Sequence, residues 1–344
     1  MNNYNIEITG TGRAVPSRRV SNDELAAQIQ IDTTDEWIRS HTGIGSRHIA
    51  GEETAASDLA LEAAKNAVAM AAENSGEKAE EFVASLDFIV LATATSDHLA
   101  CPSTACIVQN KLGAKKAAAM DITAGCTGFI YALETAAALI SLKPERKRAL
   151  VIGADILTRV TDWTDRGTCV LFGDGAGAVI MEKKEPVSNE KRGLLRSSLS
   201  ADGSGAGYLY FNRGGSRNPY KIGEVIEKPT HLVMDGKEVY NFAVKAITDT
   251  VIKLLEEEGI TINDVAWIIP HQANARIVQA AAKRLKIPDE KFFLNIEEYA
   301  NTSAASIPIA LDELNRNGRI SRGDIIMFVG FGGGLTFGGN LFVW

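Results

Sequence analysis

Asp87-Phe88-Ile89-Val90-Leu91-Ala92, an acidic residue followed by five apolar ones, reads as a strand buried on both faces. An Ala-rich helical stretch, Leu59 to Ala72, precedes it, and the reading takes 88–92 as the first strand. A second such stretch, Tyr131 to Leu142, follows. Ala149-Leu150-Val151-Ile152 and Ile325-Ile326-Met327-Phe328-Val329 repeat the strand pattern. Continuous apolar strands alternating with helices predict an α/β protein whose sheets are covered on both sides.

A weak internal repeat extends this reading. Asp264-Val265-Ala266-Trp267-Ile268 opens a strand as Asp87 does. Cys126 lies 39 residues after Asp87, behind Met120-Asp121-Ile122 and before a helix. Asn301 lies 37 residues after Asp264, behind Phe293-Leu294-Asn295-Ile296 and also before a helix. Each half ends on a glycine-rich turn into a strand, at Phe172-Gly173-Asp174-Gly175-Ala176-Gly177 and at Phe331-Gly332-Gly333-Gly334. Two similar halves, 1–185 and 186–344, are expected to meet around one site, with the boundary within 183–195. The stretch from about Ser200 to Lys228, rich in glycine and polar residues, reads as a long irregular excursion.

The bulk composition excludes several function classes. Of 344 residues, 45% are hydrophobic and 23% charged, as in a globular protein with a large core. A net charge of -7 argues against a nucleic-acid partner. The chain has no apolar run long enough for a membrane span and no signal peptide pattern at its start. The four cysteines form no CxxC pair, and only five histidines are present, so no metal cluster is expected. Sparse thiols without a secretion signal point to the cytoplasm.

Cys126 stands in Asp121-Ile122-Thr123-Ala124-Gly125-Cys126-Thr127-Gly128-Phe129, where a strand gives way to small residues and then an apolar helix. A helix N-terminus stabilises a thiolate, which marks a nucleophile, although a buried structural thiol also fits. His271, in Pro270-His271-Gln272-Ala273-Asn274, follows a strand, where α/β proteins place functional groups. Asn301, in Asn301-Thr302-Ser303-Ala304-Ala305-Ser306, is equally a helix cap by itself. Gly332-Gly333-Gly334 lets backbone N–H groups approach a ligand. Gly10-Thr11-Gly12 lacks the third glycine of a dinucleotide fingerprint, and the 173–177 run enters a strand, so neither reads as a phosphate cradle.

Seven ordered stretches covering essentially the whole chain resemble the β-ketoacyl-acyl carrier protein synthase III family. They are Asp35-Glu36-Trp37-Ile38, Thr42-Gly43-Ile44, Thr164-Asp165-Arg166-Gly167-Thr168, Gly173-Asp174-Gly175-Ala176-Gly177-Ala178, Pro270-His271-Gln272-Ala273-Asn274, Asn301-Thr302-Ser303-Ala304-Ala305-Ser306 and Phe331-Gly332-Gly333-Gly334. The resemblance implies a thiolase fold, two similar halves in five layers αβαβα, as a homodimer. It implies a triad of Cys126, His271 and Asn301, with Cys126 taking the acyl group from an acyl-CoA. The backbone N–H groups of Cys126 and Gly333 would form the oxyanion hole. Malonyl-acyl carrier protein would then lose CO2, with His271 and Asn301 donating to the enolate oxygen. Neither metal nor redox cofactor is implied.

The same resemblance implies that Trp37 and Arg166 sandwich the CoA adenine, and that Thr33, Gly236 and Asn274 line the channel. His41 stands where familiar members have an arginine against CoA phosphate, Tyr240 where a phenylalanine is common, and Asn241 where a basic docking residue is found. Arg276, Lys283 and Arg284, at i, i+7 and i+8, share a helical face that would dock the acidic carrier. Cys101 replaces a bulky phenylalanine that closes the partner's acyl pocket in acetyl-selective members. Two other classes share the order Cys, His, Asn. A papain-like hydrolase would need the Gly-x-x-Cys-aromatic context, and here 125 residues precede the cysteine. A chalcone-synthase-like relative tends to be longer, with proline in its C-terminal glycine motif, which Phe331-Gly332-Gly333-Gly334 lacks.

Overall fold

The computed structural model describes residues 5–186, 191–226 and 228–344; residues 187–190, within the stretch read as the boundary between halves, lie outside them. Strands β1 (Asn5–Ala14), β2 (Phe88–Ala92), β3 (Ala118–Ile122), β4 (Arg148–Ile156) and β5 (Asp174–Lys184) form one sheet, ordered β1-β5-β4-β2-β3. Strands β6 (Gly193–Ala201), β7 (Val265–Pro270), β8 (Ile325–Gly332) and β9 (Thr336–Val343) form a second, ordered β7-β8-β9-β6. The two sheets repeat one topology. In the first, β1/β5 and β5/β4 are antiparallel while β4/β2 and β2/β3 are parallel. In the second, β6/β9 and β9/β8 are antiparallel and β8/β7 parallel. A lone parallel bridge from Ile268 to Phe292 occupies the place of a fifth strand.

The helices that cover these sheets and carry the site are α1 (Asp35–Thr42), α2 (Ala56–Ser75), α3 (Thr104–Leu112), α4 (Gly128–Ser141), α5 (Arg166–Cys169), α6 (Gly236–Glu258), α7 (Ala275–Leu285) and α8 (Ser306–Arg316). Helices α2 and α3 cover the first sheet, α6 and α7 cover the second, and α4 and α8 lie between the sheets. This is the five-layer αβαβα arrangement that the family resemblance implied. It explains the unbroken apolar strands, because side chains on both faces meet a helix layer. In β2, Phe88, Val90 and Ala92 join the central core while Ile89 and Leu91 pack under the outer helices. In β8, Ile326 and Phe328 face the centre while Met327 and Val329 face outward.

Two sequence expectations change. The chain's first strand is β1, not 88–92, and Gly10-Thr11-Gly12 lies within it. A Cβ at Gly10 would sit 2.3 Å from the Ala67 carbonyl oxygen, and one at Gly12 2.3 Å from that of Ala63. These glycines let β1 pack closely against the alanine face of α2. The 200–228 excursion is irregular for most of its length, but it also holds a strand, Leu209–Phe211, paired antiparallel with Leu232–Met234. That ribbon lies against the site described next.

Candidate active site

Cys126 occupies a short 3-10 turn, Gly125–Thr127, between β3 and α4. Gly125 takes φ +53°, and a Cβ there would lie 2.8 Å from the Gly333 nitrogen. A Cβ on Gly332 would lie 2.5 Å from the Cys126 nitrogen. Only glycine lets these two turns, one from each half, run side by side. His271 follows β7, its N–H donating to the Val329 carbonyl (2.8 Å). The next residue, buried Gln272, donates from Nε2 to the carbonyls of Pro270 (2.8 Å) and Phe293 (3.1 Å) and accepts at Oε1 from the Asn295 N–H (3.1 Å). The loop carrying His271 is thereby anchored on both sides.

Asn301 is held by the opposite half. Its N–H donates to the Leu171 carbonyl and its own carbonyl accepts from the Gly173 N–H, both at 3.0 Å. Its side-chain Oδ1 accepts from the Ser303 N–H (2.9 Å), which leaves the amide's donor end for other partners. Ala300 and Ser303 flank it with φ of +56° and +51°, backbone that costs non-glycine residues of order 1–3 kcal/mol each. Beneath, buried Asp155 accepts at Oδ2 from the Ala304 N–H (3.2 Å), and at Oδ1 from the Thr93 and Thr95 hydroxyls and the Ala94 and Thr95 N–H groups.

Cys126, His271 and Asn301 line one cavity of about 250 Å³, together with Trp37, His41, Arg166, Gly236, Tyr240 and Asn274. A second cavity of about 180 Å³ adjoins Cys126 and Gly333, walled by Leu157, Phe172, Leu209, Phe211 and Ser303. A larger cleft of about 870 Å³, bounded by Glu7, Glu182, Arg322 and Trp344 among others, contains none of these residues.

Burial governs the charge states. It pushes the Cys126 thiol up to about 12; the Ser303 hydroxyl opposes this and the nearby Asp155 adds to it. Burial thus acts against the lowering expected from a helix N-terminus. Burial also pushes His271 down to about 3, so its ring is neutral at pH 7. His271 Nδ1 lies 2.8 Å from Ser306 Oγ.

The remaining residues singled out from the sequence fall in different places. The Arg166 guanidinium rests 4.0 Å from the Trp37 ring centroid, a cation–π contact with no room for a third planar group between them. His41 stacks on Trp37 with centroids 4.3 Å apart, and its Nδ1 lies 2.7 Å from the Trp37 carbonyl oxygen. Asn274 caps α7: its Oδ1 accepts from the Arg276 N–H (2.8 Å) and its Nδ2 donates to the His41 carbonyl (3.1 Å). Thr33 is not on the cavity wall, and its buried hydroxyl has no hydrogen-bond partner among the described residues. Arg276, Lys283 and Arg284 are exposed on α7, and Cys101 is exposed in the loop before α3. Sequence reading missed Asp155, Ser303 and the 209–211 strand. Asp155 carried a signal: a carboxylate near the end of an otherwise apolar strand.

The chain matches the family model for 3-Oxoacyl-[acyl-carrier-protein (ACP)] synthase III over residues 120–203 and that for the synthase III C terminal over 255–344. It is 47% identical to the β-ketoacyl-[acyl-carrier-protein] synthase III of Clostridium novyi (strain NT), covering 99% of each chain. Two solved structures are similar along nearly the whole chain. The 3-oxoacyl-[acyl-carrier-protein] synthase III of Aquifex aeolicus VF5 is 41% identical with a TM-score of 0.83, over 98% of this chain and 100% of that one. The corresponding enzyme of Pseudomonas aeruginosa PAO1 is 37% identical with a TM-score of 0.84, over 99% and 98%. With this likeness along its whole length and a cysteine, a histidine and an asparagine around one cavity, the chain belongs to the β-ketoacyl-acyl carrier protein synthase III family of thiolase-fold condensing enzymes.

Proposed function

We propose that the condensation of an acyl-CoA primer with malonyl-acyl carrier protein, which initiates fatty-acid synthesis, runs through Cys126, His271 and Asn301. The observation that carries this is their convergence, from opposite halves, on one cavity. The Cys126 sulfur attacks the thioester carbonyl, the acyl group moves to it, and the thiol proton leaves on the CoA sulfur. The adjoining apolar cavity takes the acyl chain, and the N–H groups of Cys126 and Gly333 hold the oxyanion. For CoA to enter, Arg166 swings off Trp37 and the adenine takes its place, with His41 and Gly236 beside the channel. Malonyl-carrier then docks on the face of Arg276, Lys283 and Arg284. CO2 departs, His271 and Asn301 donate to the enolate oxygen, and the enolate carbon attacks the acyl group on Cys126. The β-ketoacyl-carrier leaves and the sulfur regains a proton. We place the reaction in a cytoplasmic homodimer that uses no metal or redox cofactor.

His271→Ala and Asn301→Ala test the division of labour. Each should lower malonyl-carrier decarboxylation by about 10²–10³-fold, the cost of one lost oxyanion donor, while self-acylation from acyl-CoA persists. A parental decarboxylation rate in either variant removes that residue's role.

A further inference from the structure

We infer that Ser306 is a positioning residue that sets the tautomer of His271: its hydroxyl donates to Nδ1, so that Nε2 carries the ring's proton. This rests on the reading of His271 as an N–H donor to the enolate, and it names what makes the ring such a donor.

Ser306 is the first residue of α8 and is 2% exposed. Among the described residues its Oγ has two hydrogen-bond neighbours, His271 Nδ1 at 2.8 Å and the Gln272 backbone nitrogen at 3.3 Å. A serine hydroxyl has one proton and two lone pairs. The Gln272 N–H can only donate, so it takes a lone pair. If Nδ1 also carried a proton, it would take the other, and the hydroxyl's own proton would have no acceptor in a buried site. Buried donors are rarely left that way, because the unmet group loses its hydration for nothing. The alternative satisfies every atom: Gln272 N–H donates to Oγ, Oγ–H donates to Nδ1, and the ring's proton sits on Nε2. A doubly protonated ring would restore the clash at Nδ1 and place a cation in a site where burial already keeps the ring neutral.

The placement extends a pattern in the loop. The Ser303 N–H occupies Asn301 Oδ1 and turns the donor end of that amide outward. Three residues on, Ser306 does the same to the imidazole. One segment, 301–306, thus supplies one donor and orients the other. Asp155 fixes that segment through the Ala304 N–H, so both donors keep their orientation without substrate.

The test is the tautomer itself. Long-range proton–nitrogen correlation spectra of the uniformly 15N-labelled full-length protein distinguish Nε2–H, Nδ1–H and doubly protonated rings among its five histidines. His271→Ala assigns the His271 signals. The parent should show His271 as Nε2–H. Ser306→Ala should shift it to a mixture or to Nδ1–H. Malonyl-carrier decarboxylation should then fall at least about tenfold, part of what losing the donor outright costs, while self-acylation changes little. Ser306→Thr, which keeps the hydroxyl, should restore both tautomer and rate. An Nδ1–H or doubly protonated His271 in the parent overturns the inference, as does a folded Ser306→Ala that keeps the Nε2–H form. The parent spectrum decides even if Ser306→Ala fails to fold. If His271→Ala decarboxylates at the parental rate, the donor reading fails instead, and the spectrum still reports the tautomer.

Discussion

Cys101 shows how one side chain bears on substrate choice. In this chain it is exposed, in the loop before α3 and beside Leu99, which is 78% exposed. It is absent from the wall of the apolar cavity beside Cys126 that its own chain builds. In the homodimer proposed above, the partner's copy of this loop would reach that cavity, and a cysteine there would leave space that a phenylalanine fills. Each methylene that reaches apolar surface contributes about 0.8 kcal/mol, or roughly fourfold in binding. The enzyme should therefore use isobutyryl-, butyryl- or octanoyl-CoA with a higher kcat/KM than acetyl-CoA, and Cys101→Phe should turn the order toward acetyl. A strong acetyl preference in the parent, or an unchanged profile in the variant, contradicts this. Cys126, His271 and Asn301 stood out only together, because each alone also fits a structural role; the structure brings the three to one cavity. The contact of Arg166 with Trp37 was not legible, because a side-chain conformation leaves no trace in the sequence.

Helix α7 joins the site to the surface. Its cap residue Asn274 is tied to α1 through the His41 carbonyl, while Arg276, Lys283 and Arg284 face solvent. Its inner face, Ile277, Val278, Ala281 and Ala282, is buried against the second sheet's core. Charge reversal at the three exposed residues leaves that packing intact. Replacing all three with glutamate should raise KM for malonyl-carrier about tenfold or more at low salt, less at high salt, and leave KM for acyl-CoA nearly unchanged. An unchanged carrier KM at low salt places docking elsewhere. Elements whose pattern is uniform were readable in advance: β2, β4, β8, α2 and α4. Strand β1 was not, because glycines interrupt it for reasons set by distant chain, and β9, expected only as the strand that follows the second glycine-rich turn, is interrupted in the same way. A Cβ at Gly338 would lie 2.3 Å from the Ser198 carbonyl oxygen, and one at Gly339 2.5 Å from that of Phe328. Local sequence cannot distinguish such a glycine from a turn.

At the scale of the whole molecule, the repeat seen as two matched spacings becomes two sheets of the same strand order and direction. Helices α4 and α8 lie together between them, so the turns that precede each, carrying Cys126 and Asn301, arrive at one place. This is why residues 175 positions apart share a cavity, and why neither half is expected to hold the site alone. The repeat and the meeting of the halves were legible; the lost fifth strand and the 209–211 ribbon were not, since both depend on packing. The central claim is that Cys126 carries the acyl group between two half-reactions. Intact-mass spectrometry with peptide mapping, first with acyl-CoA alone and then after adding malonyl-carrier, tests it most directly. A single acyl adduct should form on Cys126 and disappear as β-ketoacyl-carrier forms. An adduct on Cys101, Cys106 or Cys169, or one on Cys126 that malonyl-carrier does not discharge, would contradict it.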